Sequence, residues 1–190
     1  MHVLVACEFS GIVRDAFRAR GHDTWSCDLL PTEVDGPHFQ EDVIELIAET
    51  WMNWDLMVAF PPCTYVCRAG DRWYHDSSLR RQAVQFVQAL AAAPIPRIAI
   101  ENPRGLNRHW RREDQVIQPW MFGHGETKAT CLWLKNLPPL MATVVDTGRD
   151  PRVHYAAPGP ERWKKRSRTL QGIADAMADQ WGGASQLEAA

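Results

Sequence analysis

The sequence predicts an α/β domain with a mostly parallel sheet and helices on both of its faces. Three features predict it. Short apolar, β-branched runs stop abruptly at turn residues, stretches with helical spacing separate them, and the reactive residue types sit where the runs stop. In open sheets of this kind ligands bind beyond the carboxyl ends of the strands, so function is sought on that rim.

The elements follow in order. His2–Ala6 is a β-branched strand that turns at once into a helix over residues 10–20, where Ile12, Val13, Ala16 and Phe17 recur at helical spacing. Gly21 ends that helix, and Asp23–Cys27 is a second strand finishing at Asp28. Residues 29–36 are loop, 42–50 a helix, and 55–60 a buried strand stopped by Pro61 and Pro62. Ser77 or Ser78 caps a helix through about Ala92, after which Pro94 and Pro96 intervene and residues 97–100 form a buried strand ending at Glu101. A strand over 130–134, a Pro/Gly-rich loop over 144–161 and an amphipathic helix over 170–180 complete the pattern.

At 190 residues and 45% hydrophobic, the chain can bury one substantial core. One domain is expected over residues 1–182, with 183–190 as a flexible tail. The net charge of -2 gives no overall positive field, so any contact with nucleic acid falls to local clusters. Arg104, Arg108, Arg111 and Arg112 form one, and Lys164, Lys165, Arg166 and Arg168 another; each suits phosphates or is solvated surface charge. Five cysteines, an odd number, with no leader-like start, suit a reducing compartment, so the cytoplasm is expected. The apolar stretches are too short for a bilayer, and no membrane contact is expected. The nine tryptophans serve either the core or base stacking.

Four constellations carry chemistry. The turn Cys7-Glu8-Phe9-Ser10-Gly11 joins the first strand to the first helix, where glycine lets the backbone approach a ligand and the helix N-terminus offers N–H groups. Asp28, at the end of strand two, is placed to accept from ribose hydroxyls or is an ordinary loop acid. Asp42 either accepts from an adenine amino group or caps the following helix. Pro61-Pro62-Cys63 is the sharpest feature, because a thiol on a rigid turn at a sheet rim is exposed and oriented as a nucleophile; the alternative is a buried structural cysteine. Cys67 raises the question of zinc, but three residues separate it from Cys63 where the deaminase pair Pro-Cys-x-x-Cys has two, and no His-x-Glu precedes it. No metal is expected. Glu101-Asn102-Pro103 supplies a carboxylate at the next strand end, placed to grip N3 and the exocyclic amino edge of a pyrimidine if protonated there, or to serve as an ordinary salt-bridging acid.

Taken in order, these pieces resemble the cytosine-C5 DNA methyltransferase family. Phe9-x-Gly11 is similar to its first cofactor motif, Asp28 and Asp42 to the second and third, Pro61-Pro62-Cys63 to its catalytic loop and Glu101-Asn102 to its Glu-Asn-Val motif. Arg168-Thr169-Leu170-Gln171-Gly172 resembles the closing motifs, and the chain as a whole looks like small methylase-like proteins of bacteriophages. The resemblance implies a Rossmann-like, class I fold that uses S-adenosyl-L-methionine. It implies a cofactor against Phe9, Ser10 and Gly11, with Asp28 and Leu29 at the ribose, Asp42 at the adenine, and Phe60 and Pro61 beside it. It implies Cys63 as the nucleophile on carbon 6 of a pyrimidine, Glu101 stabilising charge at N3, and Pro62, Asn102 and Lys128 on the substrate side.

The chain departs from the family in several places. Val13 stands for a motif-one glycine, Phe60 for a glycine before Pro-Pro, Thr64 for glutamine and Pro103 for valine. The Gln-x-Arg-x-Arg segment has no clear counterpart; residues 126–130, with Lys128, are a loose substitute. Too few residues lie between Leu134 and Lys164 for a separate target-recognition domain. The expected substrate is therefore a pyrimidine base in DNA, read with relaxed specificity or through a specificity partner protein, or in a free nucleotide, and the oligomeric state is open. Two other readings stand beside it: a non-catalytic cofactor- or nucleic-acid-binding subunit, and a cysteine hydrolase using His38, His75 or His124.

Overall fold

The computed structural model describes residues 1–49, 52–68, 78–152, 155, 157, 159 and 161–183. Seven strands make one sheet: β1 (His2–Ala6), β2 (Asp23–Cys27), β3 (His38–Phe39), β4 (Leu56–Ala59), β5 (Arg97–Pro103), β6 (Gln115–Ile117) and β7 (Thr130–Lys135). Their order is β3-β2-β1-β4-β5-β7-β6. The first five strands pair in parallel, and β7 runs antiparallel to both β5 and β6. With helices on both faces this is the Rossmann-like α/β fold of the class I methyltransferase type.

Alternation along the strands divides the core. Val3, Val5, Val58, Ala99 and Leu132 face α1 (Ile12–Arg18) and α5 (Gln171–Gly182). Leu4, Met57, Ile98, Ile100 and Trp133 face the opposite way, against α2 (Val43–Glu49) and α3 (Ser78–Ala92). A strand whose every residue is apolar is what burial on both faces requires, and the four residues of β4 are all buried. Trp181 is fully buried in α5 and its indole N–H donates to the Pro138 carbonyl at 3.0 Å, which pins the last helix to the sheet. Among the described residues no helix is long and apolar enough to cross a membrane.

The expected strands at 2–6 and 23–27 are present with those limits. β5 runs two residues past Glu101, because β7 pairs with it as far as the Pro103–Thr130 partners. Two short strands, β3 and β6, and a basic helix α4 (Arg162–Ser167) were not expected. Thr50, Ser77, His75 and the tail beyond Gly183 lie outside the described residues.

One buried charge fastens the loop after β2. Arg14 of α1 has no exposed surface, and its guanidinium donates to Asp15 at 2.8 Å, to Thr32 Oγ1 at 3.1 Å and to the Val34 and Asp35 carbonyls at 3.2 Å each. Gly36 owes its place to this side chain, since a Cβ there would run into the guanidinium. Arg14→Ala empties a fully buried position and removes its hydrogen bonds to the loop, and is expected to cost roughly 3 kcal/mol. A urea titration should show a lower midpoint with an unchanged slope.

Candidate active site

The carboxyl rim of the sheet is built by register. Ala59 of β4 lies opposite Ile100 of β5, and the amide of Phe60 donates to the Ala6 carbonyl of β1 at 2.9 Å. Three neighbouring strands therefore end together. Beyond β4, Pro61 is buried and Pro62 exposed, and Cys63 opens a single helical turn whose Val66 and Cys67 amides both donate to the Cys63 carbonyl, at 3.1 and 2.9 Å. Two ties bind this turn to the segment that follows β5. The Asn102 side-chain amide donates to the Pro61 carbonyl at 2.8 Å, and the Arg68 amide donates to the Arg104 carbonyl at 3.0 Å. Gly105, at φ 141°, lies so close that a Cβ there would overlap the Val66 carbonyl.

Glu101 and Asn102 part company at this point. Successive strand residues face opposite ways, so Glu101 shares the face of Ala99, toward α1 and α5, and Asn102 that of Ile98 and Ile100. Asn102 is completely buried, with its Oδ1 unpartnered. Its side chain holds the Pro61 turn, at a position where the sequence suggested a substrate contact. Glu101 meets Thr130, across on β7, through a hydrogen bond, and Lys128 approaches both Glu101 and Cys63. The Lys128 ammonium also donates to the Arg166 carbonyl of α4 at 2.9 Å. Sequence reasoning missed Thr130, because only the β5–β7 register brings it to Glu101.

Burial holds the Glu101 carboxyl above the ordinary carboxylate range, with the Lys128 charge and the Thr130 hydrogen bond pulling the other way. The Cys63 thiol is also pushed up, first by its hydrogen bond with Cys67, then by burial and the negative charges of Cys67 and Glu101; Lys128 opposes this. The site thus holds two acidic groups whose pKa values are raised and a lysine whose charge opposes both shifts.

The first turn differs from expectation. The amides of Val13 and Arg14 are not open to a ligand, because the buried carboxylate of Glu8 accepts from them at 2.8 and 3.2 Å. Ser10 Oγ donates to the same carboxylate at 3.1 Å. Gly11, at φ 75°, is approached by Val34 and the Arg14 guanidinium, both parts of this chain. A cavity of about 250 Å³ beside Ser10 and Gly11 opens between α1 and α5, lined by Asp15, Ala19, Gln171 and Asp175, and does not include Cys63.

The other cofactor-side residues stand on the rim. Asp28 follows β2, accepts from the Leu30 amide at 2.9 Å and has its carboxyl raised by burial. Leu29 beside it is 71% exposed. Phe60 is half-buried, and Phe9 is covered by the exposed Trp163 of α4, ring centroids 5.8 Å apart. Asp42 is exposed, and its Oδ1 accepts from the Ile44 amide at 2.7 Å, which is the capping role.

His38 is engaged on both ring nitrogens, by Ser26 Oγ and the Leu30 carbonyl, and His124 Nε2 accepts from the Gly172 amide at 2.9 Å. Neither is placed as a base for Cys63; His75 lies outside the described residues. A His-x-Glu triplet does occur at 124–126, but Glu126 pairs with Arg152, and no cluster of metal-ligating side chains is present among the described residues. Arg104, Arg108 and Lys165 are exposed, whereas Arg111 pairs with Asp114 and Arg168 with Glu33.

No family model matches the sequence, and no curated protein does. Among solved structures, the chain is similar to a protein described as a candidate DNA modification methyltransferase, encoded within an E. coli prophage. The identity is 15% and the TM-score 0.49, over 83% of this chain and 55% of that one, so the chain spans about half the length of that protein.

A raised carboxyl binds its proton more tightly in the folded state, so ionising it costs stability. For Glu101 stability is full below the ordinary value of 4.5 and is lost as pH rises through the raised value. Glu101→Gln is expected to be more stable than wild type at neutral pH, with the gap closing below pH 4.5. Thermal melts across that range check it; a pH-independent gap would contradict the assignment.

Proposed function

We propose that this chain is an S-adenosyl-L-methionine-dependent methyltransferase acting on carbon 5 of a pyrimidine, with cytosine in DNA or in a free nucleotide as its substrate. The observation that carries the proposal is the shared rim: the β4–β5 register brings a cysteine on a fixed turn and a carboxyl raised by burial to adjacent strand ends. Binding alone requires neither group. The domain spans residues 1–182 in this reading, with the remaining residues as a tail, and works in the cytoplasm.

The chemistry follows from those groups. Glu101, its carboxyl raised by burial, would share a proton with N3 of the base, which draws electron density from carbon 6. Cys63 gives up its thiol proton, favoured by the nearby Lys128, and its sulfur adds to carbon 6. Carbon 5 becomes nucleophilic and takes a methyl group. Loss of the carbon-5 proton then expels Cys63 and restores the ring. Asn102 acts at one remove, by holding Pro61, and Thr130 by orienting Glu101.

The rim fits a nucleoside cofactor through its chemistry. A half-buried carboxylate, Asp28, stands beside an exposed leucine, with Phe9 and Phe60 at the neighbouring strand ends. Asp28 and Leu29 would hold the ribose, Phe9, Phe60 and Pro61 the apolar faces, and Asp42 the adenine edge with its remaining carboxylate oxygen. The N-terminus of α1 contributes no free amide, since Glu8 fills it. When bound, the cofactor supplies an electrophilic methyl group. Ser10 and Gly11 serve this site through the backbone path of the turn.

Arg104, Arg108 and the α4 residues Lys164 and Lys165 border the rim, so a polymer would find phosphate contacts that a single nucleotide leaves unused. The raised Cys63 thiol favours one second reading, a binding subunit with an idle cysteine. Trapping separates the two. With S-adenosyl-L-methionine and 5-fluorocytosine, in DNA or as the nucleotide, wild type should form a covalent adduct that Cys63→Ala loses. Cofactor binding without any adduct or methyl transfer would leave the subunit. Asn102→Ala, which frees the Pro61 turn, is expected to slow adduct formation by roughly 10- to 100-fold.

A further inference from the structure

We propose that Cys63 and Cys67 form a reversible disulfide when the protein meets a peroxide, and that this bond takes the nucleophile out of service. The thiol chemistry stands on its own; its effect on activity rests on the function proposed above. Both amide bonds of the turn converge on the Cys63 carbonyl, so residues 63 and 67 stand one helical turn apart on one side of the backbone. Their thiols already share a hydrogen bond, and both side chains are half-buried, within reach of a small oxidant.

The geometry suits a labile bond rather than a permanent one. Four residues of helix separate Cα atoms by about 6 Å, inside the range for disulfides. The corresponding Cβ atoms stand about 5–6 Å apart in a helix, against about 3.8 Å in a relaxed disulfide, so closure needs a shift. The turn resists that shift through the Arg68–Arg104 hydrogen bond and the close approach of Gly105 to the backbone of residues 66–68. A strained disulfide is readily reduced.

Burial separates the thiols. Cys27 and Cys131 are buried, whereas Cys7, Cys63 and Cys67 are half-buried, and of these three Cys63 and Cys67 share one turn. Cys63 is held up by its neighbour, and the route begins at Cys67, the sulfur that meets peroxide. Its thiolate would break the oxygen–oxygen bond, becoming a sulfenic acid and releasing one water after proton uptake. The Cys63 sulfur then attacks that sulfur, losing its proton and expelling a second water. Two S–H bonds become one S–S bond, and peroxide becomes two waters.

The full chain, treated with hydrogen peroxide and digested with trypsin, should show the peptide 21–68 lighter by about two hydrogens and resistant to alkylation at Cys63 and Cys67, with Cys27 of the same peptide still alkylated. Dithiothreitol should restore both thiols, and Cys67→Ser should form no such bond. Methyl transfer by the same samples should fall with the disulfide fraction and return on reduction. Retention of all five alkylatable thiols, Cys63 oxidised to the sulfinic acid in wild type, or undiminished methyl transfer by the disulfide form would each overturn the inference. A reduced protein with no methyl transfer that still forms the disulfide would refute the proposed function while leaving the thiol pair standing.

Discussion

The parallel ladder of β4 on β5 sets Ala59 against Ile100, and the chemistry of this protein hangs on that pairing. Strand side chains alternate with a period of two, so a slip of one residue would turn Glu101 from one face of the sheet to the other and part it from Thr130. The register is held by burial on both faces: Leu56, Met57, Val58 and Ala59 have no exposed surface, and Ile98, Ala99 and Ile100 almost none. Polar function can then be hung on the rim because the strand interiors are committed to the core. The antiparallel β7 completes the arrangement by bringing Thr130 and Lys128 back to the end of β5.

What the core fixes, the loops convert into a site. Cys63 sits on a turn whose freedom is removed from two sides, by Asn102 through Pro61 and by Arg104 and Gly105 through residues 66–68. The same enclosure withdraws water, which raises Glu101 and adds to the hydrogen bond with Cys67 that raises Cys63. For Glu101 that serves the proposed chemistry, since a neutral carboxyl has a proton to donate. For Cys63 it is a cost, partly offset by Lys128. A net charge of -2 leaves such local cations to decide what approaches the rim.

Much of the fold was legible because long-range order leaves local traces. The β-branched strand at 2–6, the all-apolar core of β4 and the proline stop after it are written directly in residue types. β3 and β6 were not legible: two and three residues carry no periodicity, and each forms only because a neighbouring strand offers its edge. The end of β5 was set by pairing to β7, which no local signal announces. At the site, the strand-end placement of Cys63 and Glu101 could be inferred, while the glycine turn misled. Only the structure shows Glu8 consuming the amides that this turn seemed to offer a ligand. Asn102 was expected at the strand end beside Glu101, and its contact with Pro61 was not legible, because the alternation that buries it depends on which face Glu101 takes.

The central claim is that this rim performs addition at carbon 6 to make carbon 5 of a pyrimidine nucleophilic. Carbon 5 must then surrender its hydrogen once per turnover. A substrate carrying tritium at carbon 5 and a cofactor carrying a labelled methyl group report both events in one reaction. Tritium release in step with methyl incorporation is the predicted result. Methyl incorporation with the tritium retained would contradict it, because the methyl group would then lie on an exocyclic amine or another atom that needs no attack by Cys63.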